Sequence, residues 1–75
     1  MYYSFKYQND DYSINLDKIE YMIKSTEVLK NGFNIVYILY IALSNRMLSF
    51  NFESKEKFEI FYKKLQTAIK SNETK

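Results

Sequence analysis

The stretch that decides the fold is NIVYILYIALSNRMLSFNF, residues 34–52. It is rich in β-branched and aromatic side chains, which suit a pleated, half-buried surface. Ser44-Asn45 interrupts it with two residues that favour a tight turn. The reading is two antiparallel strands, roughly 34–43 and 46–53. Successive strand side chains point to opposite sides, so alternation assigns the faces. In the second strand Leu48, Phe50 and Phe52 face one way and Met47, Ser49 and Asn51 the other. One side is core and one is mostly wet. The first strand is apolar on both sides: Ile35, Tyr37, Leu39, Ile41 and Leu43 on one, Val36, Ile38, Tyr40 and Ala42 on the other. Such a strand needs cover on both faces.

Downstream, the spacing predicts a helix from Ser54 to Lys70. Phe58, Phe61, Tyr62, Leu65, Ala68 and Ile69 recur at intervals of three and four, which places them on one stripe. Ser54 suits the N-cap, Glu56 and Glu59 sit early, and Lys63, Lys64 and Lys70 sit late, as the helix dipole favours. Glu59 and Lys63 form a favourable i,i+4 pair. Upstream, Tyr3, Phe5 and Tyr7 alternate, then Tyr12, Ile14 and Leu16, across Asn9-Asp10. A first hairpin follows, since Asn and Asp accept turn geometry.

Residues 17–30 read two ways. As a helix, Leu16, Ile19, Ile23 and Thr26 share a face, Asp17 and Glu20 resemble a capping box, and Asn31-Gly32 is a stop signal. As a strand, Ile19, Tyr21 and Ile23 alternate with Glu20, Met22 and Lys24, and Lys30-Asn31-Gly32 turns into the next strand. The strand is preferred, because the two-faced strand needs neighbours and a meander needs no long crossover. The expected class is therefore α+β: an antiparallel meander of four to five strands, then one C-terminal amphipathic helix, with β-α-β-β-α as the alternative. The helix covers one sheet face, and nothing else in the chain covers the other. A second copy or another protein is the simplest cover.

Composition bounds the rest. Seventy-five residues allow a single domain, 1–75, with 71–75 expected as a frayed polar tail. A chain this small needs support beyond its core, and with no cysteine or histidine neither a disulfide nor a zinc site supplies it. Association remains. At 47% hydrophobic and 19% aromatic the chain is too apolar for a disordered tail. The N-terminus lacks a signal-peptide pattern, and the most apolar run, Phe33 to Leu43, is shorter than the ~20 residues of a membrane helix. A cytoplasmic location is expected, in the host cytoplasm if the chain is phage-encoded. Lys, Ile, Asn, Tyr and Phe dominate over Arg and Gly, which points to AT-rich coding and a bacterial or phage origin.

Catalysis is not expected. The commonest general base and the strongest nucleophile are missing, and one glycine builds no phosphate-cradling loop. Asp10-Asp11 reads as solvated turn acids, and Glu53, Glu56 and Glu59 as helix-start charges rather than metal ligands. Catalytic, cofactor-binding and metal residues are accordingly assigned to none.

Two binding classes remain. In the leading one the chain is a non-catalytic protein-interaction module, a homodimer and/or the partner of a larger protein, with Tyr37, Tyr40, Arg46 and Met47 as contacts. Interfaces favour Tyr, Phe, Met and Arg, and Arg46 is the only arginine, placed at a hairpin tip. One concrete version is a phage-encoded inhibitor of a host defence complex, of the anti-CRISPR kind. The alternative is a small binder of single-stranded nucleic acid that stacks bases on Tyr3, Phe5 and Tyr7, with Tyr37 and Tyr40, and tracks phosphates with Lys6 and Arg46. Against it stand a net charge of only +2 and the ordinary use of tyrosine in strand packing.

The stretch Ile14-Asn15-Leu16-Asp17-Lys18-Ile19, with Asn51-Phe52-Glu53-Ser54 leading into Phe58, Phe61, Tyr62 and Leu65, resembles small bacterial and phage proteins that end with strands and one helix. They do so in the manner of the last half of pleckstrin-homology-like domains, although the chain is too short for a complete barrel of that kind. In outline it is also similar to single-repeat Pur-type nucleic-acid binders. The first resemblance implies an adaptor or inhibitor habit, and neither carries a functional residue across.

Overall fold

In a computed structural model, residues 1–30, 32 and 34–73 are described. Five antiparallel strands precede one helix: β1 (Tyr2–Tyr7), β2 (Asp10–Asn15), β3 (Ile19–Val28), β4 (Ile35–Leu43), β5 (Met47–Phe52) and α1 (Lys55–Glu73). The α+β meander with a C-terminal helix is thus the architecture found. Residues 17–30 contribute a strand, not a helix. The strands form two ladders, β1-β2 and β3-β4-β5. A 3-10 turn over Leu16–Lys18 separates them, started by Asn15, whose side chain accepts from the Asp17 N–H at 3.1 Å. That turn re-aims the chain, so β2 does not pair with β3.

Local chemistry explains the corners. In the first hairpin Tyr7 pairs with Asp10, and Gln8 and Asn9 both have positive φ, 49° and 69°. This is the two-residue turn whose twist matches the strands. It lies one residue earlier than Asn9-Asp10 suggested. Ser44-Asn45 closes the β4–β5 hairpin, with the Leu43 N–H donating to the Arg46 carbonyl at 2.8 Å. Between β3 and β4, Gly32 takes φ of 74°, where a side chain would be strained, and its N–H donates to the Leu29 carbonyl at 2.8 Å. The Lys30-Asn31-Gly32 turn lies partly outside the described residues, since Asn31 does. Ser54 caps α1 as its sequence position implied, its hydroxyl accepting from the Lys57 N–H at 3.3 Å. The helix continues to Glu73, so Ser71–Glu73 are helical rather than a polar tail, while Thr74 and Lys75 lie outside the described residues.

The core lies between the helix and the inner faces of both ladders. Ile14, Leu16, Leu39, Ile41, Phe50, Phe58 and Leu65 are buried together, and the rest of the helix stripe (Phe61, Tyr62, Ala68 and Ile69) packs against them. Phe50 is the hub, with ring centroids 5.4 Å from Phe5, 5.0 Å from Tyr7, 5.2 Å from Tyr12 and 5.6 Å from Phe61. Mostly edge-on contacts of this kind add to plain area burial. Glu59 pairs not with Lys63 but across the fold with Lys24, Nζ to Oε1 at 3.1 Å. The same ammonium lies 4.4 Å above the Tyr62 ring, which ties β3 to the helix.

Candidate functional site

The register places a second, uncovered apolar surface on β3-β4-β5. Tyr21 lies opposite Ala42, which lies opposite Met47; next come Ile23, Tyr40 and Ser49; then Ser25, Ile38 and Asn51; then Glu27 and Val36. Cross-strand partners share a face, so these rows make the side of the sheet turned away from α1. The row nearest the β4–β5 turn is apolar, the next is apolar except for Ser49 at its β5 flank, and the two beyond are largely polar at their flanks. Ile38 and Ala42, on the central strand, are shielded by their neighbours. Tyr21, Ile23 and Met47 on the flanking strands remain 51%, 46% and 50% exposed. No element of the described chain lies over this end.

The sequence-derived contacts separate accordingly. Tyr40 and Met47 belong to this outer face, and exposed Arg46 precedes Met47 at its corner. Tyr37 does not: it is opposite Phe52, half-buried on the core side, with its ring 5.8 Å from Phe58. Tyr3, Phe5 and Tyr7 pack against the same core from β1. Phe5 stacks on Tyr12 at 5.4 Å and meets Phe61 edge-on at 5.1 Å. Lys6 is exposed opposite Asp11, on the other side of the hairpin. Asp10 and Asp11 are successive strand residues and diverge to opposite faces. Tyr21 and Ile23 were not singled out from sequence, because their face depends on the β3–β4 register.

A second feature lies where the two ladders approach each other. The Leu16 N–H donates to the Met1 carbonyl at 2.8 Å, which sets the phase of the β1-β2 ladder. Bonded pairs alternate with pairs whose backbone groups point outward, so Ser13 and Asn15 turn theirs away from β1. The Leu43–Arg46 bond sets the phase of β5 in the same way, turning the backbone of Met47, Ser49 and Asn51 away from β4. At Asn51 a side chain takes the place of a neighbouring strand. The Tyr7 hydroxyl accepts from the Asn51 N–H at 2.7 Å and donates to the Asn51 carbonyl at 3.0 Å. At the opposite end a cleft of about 390 Å³ opens between β2 and the β4–β5 turn. Ser13, Asn15, Ser44 and Asn45 line it with Lys18 and Arg46, and no acidic side chain does.

Asp17 fastens the corner beside this cleft. Its carboxylate accepts from the Asn72 amide at 2.7 Å and from the Met1 ammonium at 3.1 Å. The Asn72 hydrogen bond first, then the bond and charge of the ammonium, hold its pKa below the ordinary value. Compared with protein families, with curated proteins and with solved structures, the chain matches none.

Proposed function

We propose that this chain is a non-catalytic protein-interaction module that works by occupying a surface on another protein chain. The observation that carries the reading is the exposed apolar end of the outer sheet face, where Tyr21, Ile23 and Met47 surround Tyr40. Contiguous exposed apolar area of this kind is a mark of interaction sites. A second copy is the first occupant. Beside Tyr21 and Ile23 runs the edge of β3, unpaired among the described residues, without proline or glycine and regular from Tyr21 to Val28 beyond an irregularity at Ile19–Tyr21. Strand edges of that sort pair with other chains unless something blunts them. Pairing β3 with its two-fold mate would continue the sheet and join two apolar ends into one surface. A module of this type needs no chemistry of its own, as befits an inhibitor of the anti-CRISPR kind that blocks a host complex.

The test is light scattering behind size exclusion, at low and high salt, with the nucleic-acid absorbance ratio recorded. A salt-resistant dimer that Ile23→Lys converts to a folded monomer supports the reading. A monomer free of nucleic acid removes the homodimer. A monomer that carries nucleic acid at low salt and loses it at high salt overturns the reading for the nucleic-acid alternative.

A further inference from the structure

We infer that the cleft between β2 and the β4–β5 turn is a binding site for an extended, acidic peptide segment of a partner protein. This rests on the chain being an interaction module, but not on what covers the outer sheet face. Two independent features of the cleft point to the same ligand. The first is backbone. Ser13 presents its main-chain N–H and C=O on the β2 edge and Asn15 its N–H, the Asn15 carbonyl being taken up by the 3-10 turn it starts. Among the described residues no backbone bond joins that edge to β5. An extended peptide satisfies such groups by adding a strand, the mode in which main-chain bonds supply affinity and flanking pockets supply choice. At the closed end of the same seam the Tyr7 phenol already serves as a surrogate for strand pairing at Asn51. Among the described residues the open end has no such substitute.

The second feature is charge. Lys18 and Arg46 line the cleft, and neither has an ion-pair partner among the described residues. The other polar groups there, Ser13, Asn15, Ser44 and Asn45, are neutral. An anion entering the cleft therefore meets two cations and no lining acid, the Asp17 carboxylate beside Lys18 being engaged by Asn72 and the Met1 ammonium. Arg46 adds a planar fork suited to a carboxylate. A carboxylate on an extended backbone fits both features, whereas a phosphate chain uses only the charge. Two cations are also a small electrostatic footprint for nucleic acid, whose binding scales with the phosphates neutralised.

The test is selection of the intact protein against a random hexapeptide library, followed by titration of the best sequence into isotope-labelled protein. Enriched peptides are expected to alternate β-branched residues with an Asp or Glu near one end. The amide signals of Ser13, Asn15 and the Ser44–Arg46 turn should move, and those of Tyr21 and Ile23 should not. Lys18→Gln and Arg46→Gln each weaken binding about tenfold, as loss of one charge-assisted hydrogen bond implies. Replacing the peptide's acid by its amide does the same. No enrichment, enrichment without an acidic bias, or shifts confined to the outer face overturns the proposal. So does a short oligothymidylate that moves the cleft signals more strongly than the peptide. Because the dimer assay reads Ile23 and this assay reads Lys18 and Arg46, either reading can fail alone.

Discussion

Strand β4 has two apolar sides with different fates. On one side Leu39 and Ile41 are fully buried, closed over by side chains from β1, β2, β5 and α1. On the other, Ile38 and Ala42 are buried on the central strand, but Tyr21, Ile23 and Met47 beside them stand half in water. The composition of the two sides is similar, so hydrophobicity does not decide between them. Supply does. The described residues form one long helix and one spare hairpin, and both are used on the same side. The lesson is that an apolar row in a small domain is evidence of cover somewhere, inside the chain or outside it.

The sharpest way to break that comparison is at Phe50, where four rings from three elements converge on the closed side. Phe50→Ala should cost about 3–5 kcal/mol. A domain of this size has on the order of 4–11 kcal/mol in all, so the variant should be largely unfolded or melt far earlier by circular dichroism. Phe50→Leu, which keeps most of the volume, should fold with a smaller loss. If Phe50→Ala melts like the parent, the closed side is not the core.

Next in size is Tyr7→Phe, which keeps the ring against Phe50 and Phe52 and deletes only the hydroxyl that bridges to Asn51. Asn51 is exposed, so water replaces the lost partner, and the loss should be about 1 kcal/mol by denaturant titration. Amide exchange at Asn51 should quicken more than at Phe50. Equal stability with unchanged exchange would mean the two ladders are joined by ring packing alone.

How much of this was legible depended on the range of the interaction. The helix stripe, the Ser54 cap and the two faces of β4 follow from spacing within one element, and they stand as read. The turn at Gln8-Asn9 was displaced by one residue, because Gln is a poorer candidate than Asn or Asp for positive φ, yet the pairing of Tyr7 with Asp10 puts it there. Glu59 pointed by spacing to Lys63 and instead meets Lys24, brought over by the sheet. For the site, Tyr40, Arg46 and Met47 gather at one end of the molecule, while Tyr37 goes to the core side. The cleft was not readable at all. It exists only because the Leu16–Lys18 turn parts β2 from β3 and brings it near the β4–β5 turn, a tertiary event with no local signature.

On the open side the expected effect on stability is small. Ile23→Thr and Met47→Thr keep strand-compatible shapes at half-exposed positions, and each should change unfolding free energy by no more than about 0.5 kcal/mol. Both should weaken self-association in light scattering. A large loss of stability at monomeric concentrations would show the open side to be covered within the chain, and the contrast between the two faces of β4 would collapse.

The smallest effect belongs to the polar rim that pins the ends of the chain beside the closed side. Asp17 receives the Asn72 amide and the Met1 ammonium, and these hold its native pKa below the ordinary value of 3.8. A carboxyl depressed in the folded state binds its proton more readily when unfolded. Its contribution is therefore fully present above the unfolded pKa and is lost as pH falls through the native one. Asp17→Asn should lower the melting temperature slightly at neutral pH, and the gap to the parent should close as the pH is taken down through the acid range. Salt should shrink the gap as well, since the groups are exposed and the ammonium's part is screened. Melting curves of both proteins across pH at two ionic strengths read all of this at once. A gap that persists unchanged at low pH would assign the loss to the geometry of the Leu16–Lys18 turn rather than to the charge of Asp17, and the seam between the ladders would then be held by backbone shape.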